Sequence, residues 1–426
     1  MDRAVQRHIS VLTAAVAALG MTATLSGCGT GGGSGDVTLK LVAADYGHGS
    51  EDGSQKYWDD LARAYEKKNP GIRIDVKVYA WKDVDREVAT MVKNGQAPDM
   101  AQIGAYADYA KEDRLYSADS LLSVPVQSNF LTQLRDAGTV RGTQYGMPFG
   151  ASTRLLFYNK KLFKDAGAEP PTTWDELRRA AAKLKADGVK YPFALPLGTE
   201  ESQAETMMWM LSGGGGYQDE NRTSYRIDSA QNVKTFTWLR DDLVGKGLTG
   251  PVVPGKLDRA QAFDAFTKGD VGMLNGHPTL MQKAAKAGID YGMVPLPGTS
   301  GKARATMGVA DWMMAFKQNG HRKETGKFLD YVYNDANVLA FSREYDILPV
   351  TVTGSDELRT DSQHADLKPF LDALPNSELY PFSQVSWAKV SETVKQEIGK
   401  AVQPGGNPAA VLAKIAGKAR DAEAEE

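Results

Sequence analysis

Val37-Thr38-Leu39-Lys40-Leu41-Val42-Ala43-Ala44 is a β-rich run that ends at the polar-aromatic pair Asp45-Tyr46 and the loop Gly47-His48-Gly49-Ser50. Tyr57, Trp58, Leu61, Ala64 and Tyr65 follow at helical spacing, and Asn69-Pro70-Gly71 stops that helix. Ile72-Arg73-Ile74-Asp75-Val76-Lys77-Val78-Tyr79 then alternates with period two and delivers Ala80-Trp81 to its end. Strand, helix and strand in this order make a βαβ unit, and the fold class is α/β with parallel strands. A helix over Val84 to Val92 and a short strand over Ala97 to Ile103 continue the alternation. In such sheets ligands gather at the carboxyl ends of the strands, which puts Asp45, Tyr46, Trp81 and the residues after Ile103 on one edge.

Upstream of this unit lie a short basic start (Arg3, Arg7, His8) and an uncharged apolar stretch from Ile9 to Leu25. That order reads as a secretory signal peptide over residues 1–27. Leu25-Ser26-Gly27-Cys28 resembles the lipobox of bacterial lipoproteins, in which the sulfur just after the cut receives diacylglycerol. An uncleaved membrane anchor is the alternative reading of the same stretch. Gly29-Thr30-Gly31-Gly32-Gly33-Ser34-Gly35 then reads as a flexible tether, so residues 28–36 hold a folded body away from a membrane.

Cys28 is the only cysteine of the chain. An exported body without disulfides must rest on large hydrophobic cores, and 42% apolar residues supply them. Length points to two domains. After residue 27 there are 48 Lys and Arg against 52 Asp and Glu, interspersed, which argues against nucleic-acid binding. No Gly-x-Ser-x-Gly elbow and no His-Glu-x-x-His motif is present, and Gly213 to Gly216 lacks the Gly-Lys-Ser/Thr that would make it a phosphate loop.

Three segments in the middle of the chain form a further pattern. They are Tyr145-Gly146-Met147-Pro148-Phe149-Gly150, Leu155-Leu156-Phe157-Tyr158-Asn159-Lys160-Lys161-Leu162-Phe163 and Pro171-Thr172-Thr173-Trp174-Asp175-Glu176-Leu177. Together they resemble a signature of the extracellular solute-binding proteins (family 1) of bacterial carbohydrate ABC transporters, with maltose-binding members as the pattern. Lys268-Gly269-Asp270-Val271-Gly272-Met273, Asn275-Gly276, Tyr291 to Pro297 and Gly308 to Phe316 extend the resemblance toward the C-terminus. The resemblance implies a two-lobe periplasmic-binding-protein fold of type II, with discontinuous lobes joined by hinge segments and a sugar gripped between them. The expected lobes are 37–148 with 304–346 and 149–303 with 347–426. The crossings fall near Met147-Pro148-Phe149-Gly150, Pro295-Leu296-Pro297-Gly298 and Ile347-Leu348-Pro349.

Sugar recognition needs flat apolar surfaces for the C–H face of a pyranose and fixed polar groups for its hydroxyls. Trp81, Trp312 and Trp387 are the expected stacking residues, and Trp387 matches a stacking position of the maltose-binding relatives. Trp209 stands between cleft and core, whereas Trp58, Trp174 and Trp238 lie inside helical patterns as core. The polar candidates are Asp45, Tyr46, Asp99, Ser152, Thr153, Asn275, Gly276, His277, Asp311 and Arg343. Asp99 could instead cap a helix, and Arg343 could pair with Asp346 or Glu344. Many relatives carry an aromatic two residues after the Gly of the Asn-Gly pair, where this chain has Pro278. What the resemblance implies is a monomeric, non-catalytic, lipid-anchored extracytoplasmic receptor that needs no cofactor or metal and delivers a sugar, an oligosaccharide by preference, to membrane permease subunits of an ABC transporter. The competing readings are a secreted carbohydrate hydrolase and a binder of a non-sugar solute such as a polyamine.

The lipobox reading carries a direct test. Cys28→Ala is expected to abolish incorporation of labelled fatty acid while leaving the fold intact; equal labelling of both proteins would refute it.

Overall fold

The structure, a computed structural model, describes residues 36–47, 53–219, 221–300 and 306–425. The signal stretch, Cys28 and the Gly-rich tether lie outside the described residues.

The opening βαβ unit forms as the pattern predicts. β1 (Val37–Ala44) pairs in parallel with β2 (Ile72–Tyr79), in register from Val37 opposite Ile72 to Ala44 opposite Tyr79. α1 (Ser54–Lys68) buries Trp58, Leu61, Ala62 and Tyr65 on one face, and Trp58 stacks on Phe149 with centroids 5.2 Å apart. Each such fully buried large side chain contributes roughly 1.5–3 kcal/mol. After Asn69-Pro70, Gly71 turns the chain with φ of +91°, a conformation that favours glycine.

α2 (Trp81–Lys93) begins three residues before the expected Val84, so Trp81 opens a helix and does not end a strand. β3 (Met100–Ile103) lies on the other side of β1. β4 (Met147–Thr153) runs into β5 (Leu155–Asn159) with only Arg154 between them. β6 (Tyr191–Phe193), α3 (Ser202–Ser212), α4 (Arg259–Thr267), β7 (Val271–Gly276) and β8 (Tyr291–Val294) follow. β9 (Met307–Ala315), β10 (Glu378–Leu379), α5 (Trp387–Glu397) and α6 (Pro408–Glu423) complete the elements needed below.

Two sheets result. The first has the order β10-β9-β3-β1-β2, with β4 also pairing β9 antiparallel; the second has the order β8-β5-β7-β6. The expected lobe boundary after residue 148 cuts through β4, which belongs wholly to the first sheet, so the chain leaves that sheet at Arg154. The segment at 347–351 likewise stays beside the first sheet: Leu348 and Ala151 exchange backbone hydrogen bonds of 2.8 and 3.1 Å. β10, in the stretch expected to belong to the second lobe, also pairs β9. The Thr306 hydroxyl donates to the Arg154 carbonyl at 2.6 Å. Three passages of the chain therefore lie side by side.

Candidate ligand-binding cleft

The parallel register brings the polar ends of β1, β2 and β3 to one edge, as Asp45-Tyr46, Trp81 and Gly104. β9 runs antiparallel to β3, with Trp312 opposite Ile103, and so delivers Asp311 to the same edge. In the second sheet β6 and β7 are parallel, and their carboxyl ends lead to Glu200-Glu201 and His277. β5 runs the other way, with Leu155 opposite Gly276, which puts Arg154 at that edge too. Because β4 passes directly into β5, the two carboxyl edges meet at Arg154, where α/β sheets hold ligands.

The first wall is held by a chain of hydrogen bonds. Gln102 accepts from the Ala44 N–H at 3.0 Å and donates to the Tyr46 hydroxyl at 2.9 Å, and that hydroxyl donates to Asp311 Oδ2 at 2.6 Å. Burial raises Asp311 to about 7, against the opposing effect of the Tyr46 bond. Asp45 accepts from the N–H groups of Gly47 (3.0 Å) and Ser54 (2.8 Å), which fixes the turn into α1. Trp81 is half-buried and meets Tyr46 edge-on at 5.4 Å. On α2, Asp85 keeps an exposed side chain and accepts from the Gly104 N–H at 3.1 Å. Desolvation by the surrounding protein raises its pKa, and the Gly104 N–H bond and the charge of Lys395 on α5 partly offset this.

The second wall is an ion network. Arg154, 5% exposed, donates to Ser152 Oγ at 2.8 Å and to Glu201 Oε1 at 2.9 Å. Arg259 pairs with both Glu201 and Glu200, contacts His277 Nε2 at 3.3 Å, and lies over the Phe263 ring. Burial works against the Glu201 carboxylate, but Arg259 and Arg154 outweigh it and hold its pKa below the usual value. Behind this wall Glu205 is buried and accepts from Trp209 Nε1 (2.7 Å) and Asn275 Nδ2 (2.8 Å). Burial pushes it up to about 8, with Glu201 adding to the shift.

Aromatic rings bridge the walls. Tyr380 stacks on Trp387 with centroids 5.0 Å apart and meets Phe382, which packs edge-on against Trp312. Tyr380 also lies within the fields of Glu201, Arg154 and Asp311.

Asp45, Tyr46, Trp81, Asp311, Ser152 and His277 are thus brought to the facing edges, and Trp387 backs the aromatic bridge. Other expected residues are not. Asp99 sits at the opposite end of β3, where it accepts from the Lys40 N–H and pairs with His321 at 2.8 Å. Thr153 is fully buried and donates to the Phe370 carbonyl. Trp209 and Asn275 are buried around Glu205, and a Cβ on Gly276 would come within 2.7 Å of Phe157. Trp312 has no exposed surface: Tyr106 and Phe382 enclose its ring, so it is core and not a stacking platform. Arg343 turns outward to Asp361 and Glu357, in place of Asp346 or Glu344.

Sequence reading missed Asp85, Arg154, Glu201, Tyr380 and Lys395. Arg154 left a signal, being the one charge between the apolar runs 147–153 and 155–159. Asp85 and Lys395 look like ordinary polar helix positions. A cavity of about 590 Å3 beside the junction is lined by Leu155, Met208, Met293, Leu296 and Pro369, with Ser212, Thr306, Asp372 and Asn376 as its polar groups.

Two sheets whose carboxyl edges face each other across side-by-side chain passages define a cleft-binding protein of two α/β halves. The chain belongs to the bacterial extracellular solute-binding protein family, whose profile matches residues 48–338. A Brucella abortus chain named only as a binding protein is 27% identical over 371 residues, 85% of this chain and 89% of that one. The sn-glycerol-3-phosphate-binding periplasmic protein of Salmonella typhimurium is 26% identical over 363 residues, 78% of this chain and 80% of that one. An ABC transporter solute-binding protein of Thermotoga lettingae, solved with α-D-tagatose, superposes with a TM-score of 0.77 at 19% identity, covering 91% of this chain and 99% of that chain, which shows a shared fold.

Two stability tests follow from this geometry. Glu205 has a folded pKa of about 8, against an ordinary value near ~4.3. Between these the folded state holds a proton that the unfolded state has lost. Its contribution is therefore full below ~4.3, falls as pH rises to about 8, and is flat above. Glu205→Gln keeps an acceptor for both donors and removes the titration, so its melting temperature relative to wild type should climb across that window; parallel pH profiles would refute the assignment. Trp312→Ala is expected to lose roughly 3–5 kcal/mol in urea unfolding, as for a core Trp.

Proposed function

We propose that the protein is a lipid-anchored extracytoplasmic receptor that binds a sugar, an oligosaccharide by preference, between its two lobes and delivers it to the permease of an ABC transporter. The observation that carries this reading is the pairing of fixed acceptors with an accessible aromatic surface where the two carboxyl edges meet: Asp311 and Asp85, with the half-buried Trp81 beside them. Carboxylates held by protein hydrogen bonds accept from hydroxyls in known directions, and flat rings cover the apolar sugar face. The ligand bound to the Thermotoga lettingae relative, tagatose, is of this chemistry.

In this reading the lobes follow the two sheets, with Arg154, the passage ending at Thr306 and the segment near Leu348 as hinges. A ligand touching both walls favours the closed form by its differential affinity for it. Cys28 and the Gly-rich tether would hold the receptor at the outer membrane surface as a monomer. The work of the site is binding, not catalysis.

A thermal-shift screen of neutral mono- and oligosaccharides tests the reading. A cognate sugar at 100 times its dissociation constant should stabilise the fold by about 2.7 kcal/mol. Trp81→Ala should abolish most of that shift while the unliganded melting temperature stays close to wild type. Release of reducing ends from glycosides during incubation would favour the hydrolase instead.

A further inference from the structure

Both arginines of the second wall are already occupied. Arg154 is buried, with Ser152 on one nitrogen and Glu201 on another. Arg259, partly exposed, is paired with Glu200 and Glu201 and touches His277 and the face of Phe263. His277 in turn engages Thr279 at 2.9 Å through Nδ1. The charge of Lys395 acts on both Asp85 and Glu201 and favours their carboxylate forms. The opposite wall carries Asp311 and Asp85, neither with a cation among its hydrogen-bond partners.

Resting on the receptor reading above, we propose that Glu200 and Glu201 set the charge class of the ligand. By engaging Arg154 and Arg259 they keep both guanidinium groups from acting as anion receptors, which favours uncharged saccharides over phosphate esters and sugar acids. An incoming phosphate would have to displace Glu201 from the buried Arg154 guanidinium or compete with Glu200 and Glu201 for the partly exposed Arg259, and a stranded Glu201 would lie near Asp311. Breaking one partner of a buried pair is strongly unfavourable, since the remaining charge is left desolvated. An uncharged hydroxyl needs no such exchange and can donate to Asp85 or Asp311 while the network stays closed. The chain would thus differ in ligand class from its glycerol-phosphate-binding relative at 26% identity.

Calorimetry on the full chain tests this with glycerol 3-phosphate, glucose 6-phosphate and a panel of neutral sugars, against wild type, Glu200→Gln and Glu201→Gln. Wild type should bind a neutral sugar and neither phosphate ester. Glu200→Gln, at a half-exposed position that leaves the Arg154–Glu201 pair intact, should gain roughly tenfold in affinity for a phosphate ester, the scale of one charge-assisted hydrogen bond. That gain should shrink with added salt. Glu201→Gln should gain more if it folds. Tighter binding of a phosphate ester than of any neutral sugar by wild type would overturn the proposal. So would a folded Glu200→Gln with no gain. If wild type binds neither class, the receptor reading itself fails and takes this inference with it.

Discussion

A guanidinium that is 5% exposed must be paired, and Arg154 is placed where its pairing organises everything around it. It is the single residue between β4 of one sheet and β5 of the other. Its backbone carbonyl receives the Thr306 hydroxyl, tying the first passage of the chain to the second. Its side chain reaches Glu201, at the start of α3, and through Glu201 the Arg259 guanidinium at the start of α4. The junction therefore cannot move independently of the second wall.

The first wall is built on a different principle. Its polar groups are few, and a line of hydrogen bonds from the Ala44 backbone through Gln102 and Tyr46 orients them onto Asp311. Gly150 makes room for it, since a Cβ there would lie 3.2 Å from the Tyr46 hydroxyl and 3.0 Å from Ile347. Orientation is set before any ligand arrives, so little side-chain entropy remains to be lost on binding. The second wall is rigid through charge, the first through a relay of neutral donors. The aromatic segment from Tyr380 to Trp387 joins them, and its rings pack on Trp312 at one end and Tyr217 at the other.

Trp81 and Trp312 show how far local reading reaches. Both stand at the edge of a strand beside small residues, and in sequence they are equivalent candidates for a sugar platform. Trp81 opens α2 at the carboxyl edge and stays half-buried. Trp312 lies opposite Ile103 in β9, and the chain from 106 and from 382 closes over it. Asp99 and Asp85 form a parallel case. Asp99 follows a proline before a strand, but it lies at the amino end of β3, away from the cleft. Asp85 looks like one more acid on a helix, and the turn at Gly104 brings a backbone N–H to it.

Periodicity and turn residues alone determined the βαβ unit, its helix and stop, the α/β class and the edge to which Asp45, Tyr46 and Trp81 belong, because these depend on contacts between near neighbours. The ordered motifs from Tyr145 onward determined the family. Only the tertiary structure decided which tryptophans are core, where the chain leaves the first sheet, and that the arginines of the cleft are already engaged by Glu200 and Glu201. Those outcomes depend on pairings between residues tens to hundreds of positions apart, such as Arg154 with Glu201 and Tyr46 with Asp311. Burial and charge compensation act through space, and no local pattern in the chain records them.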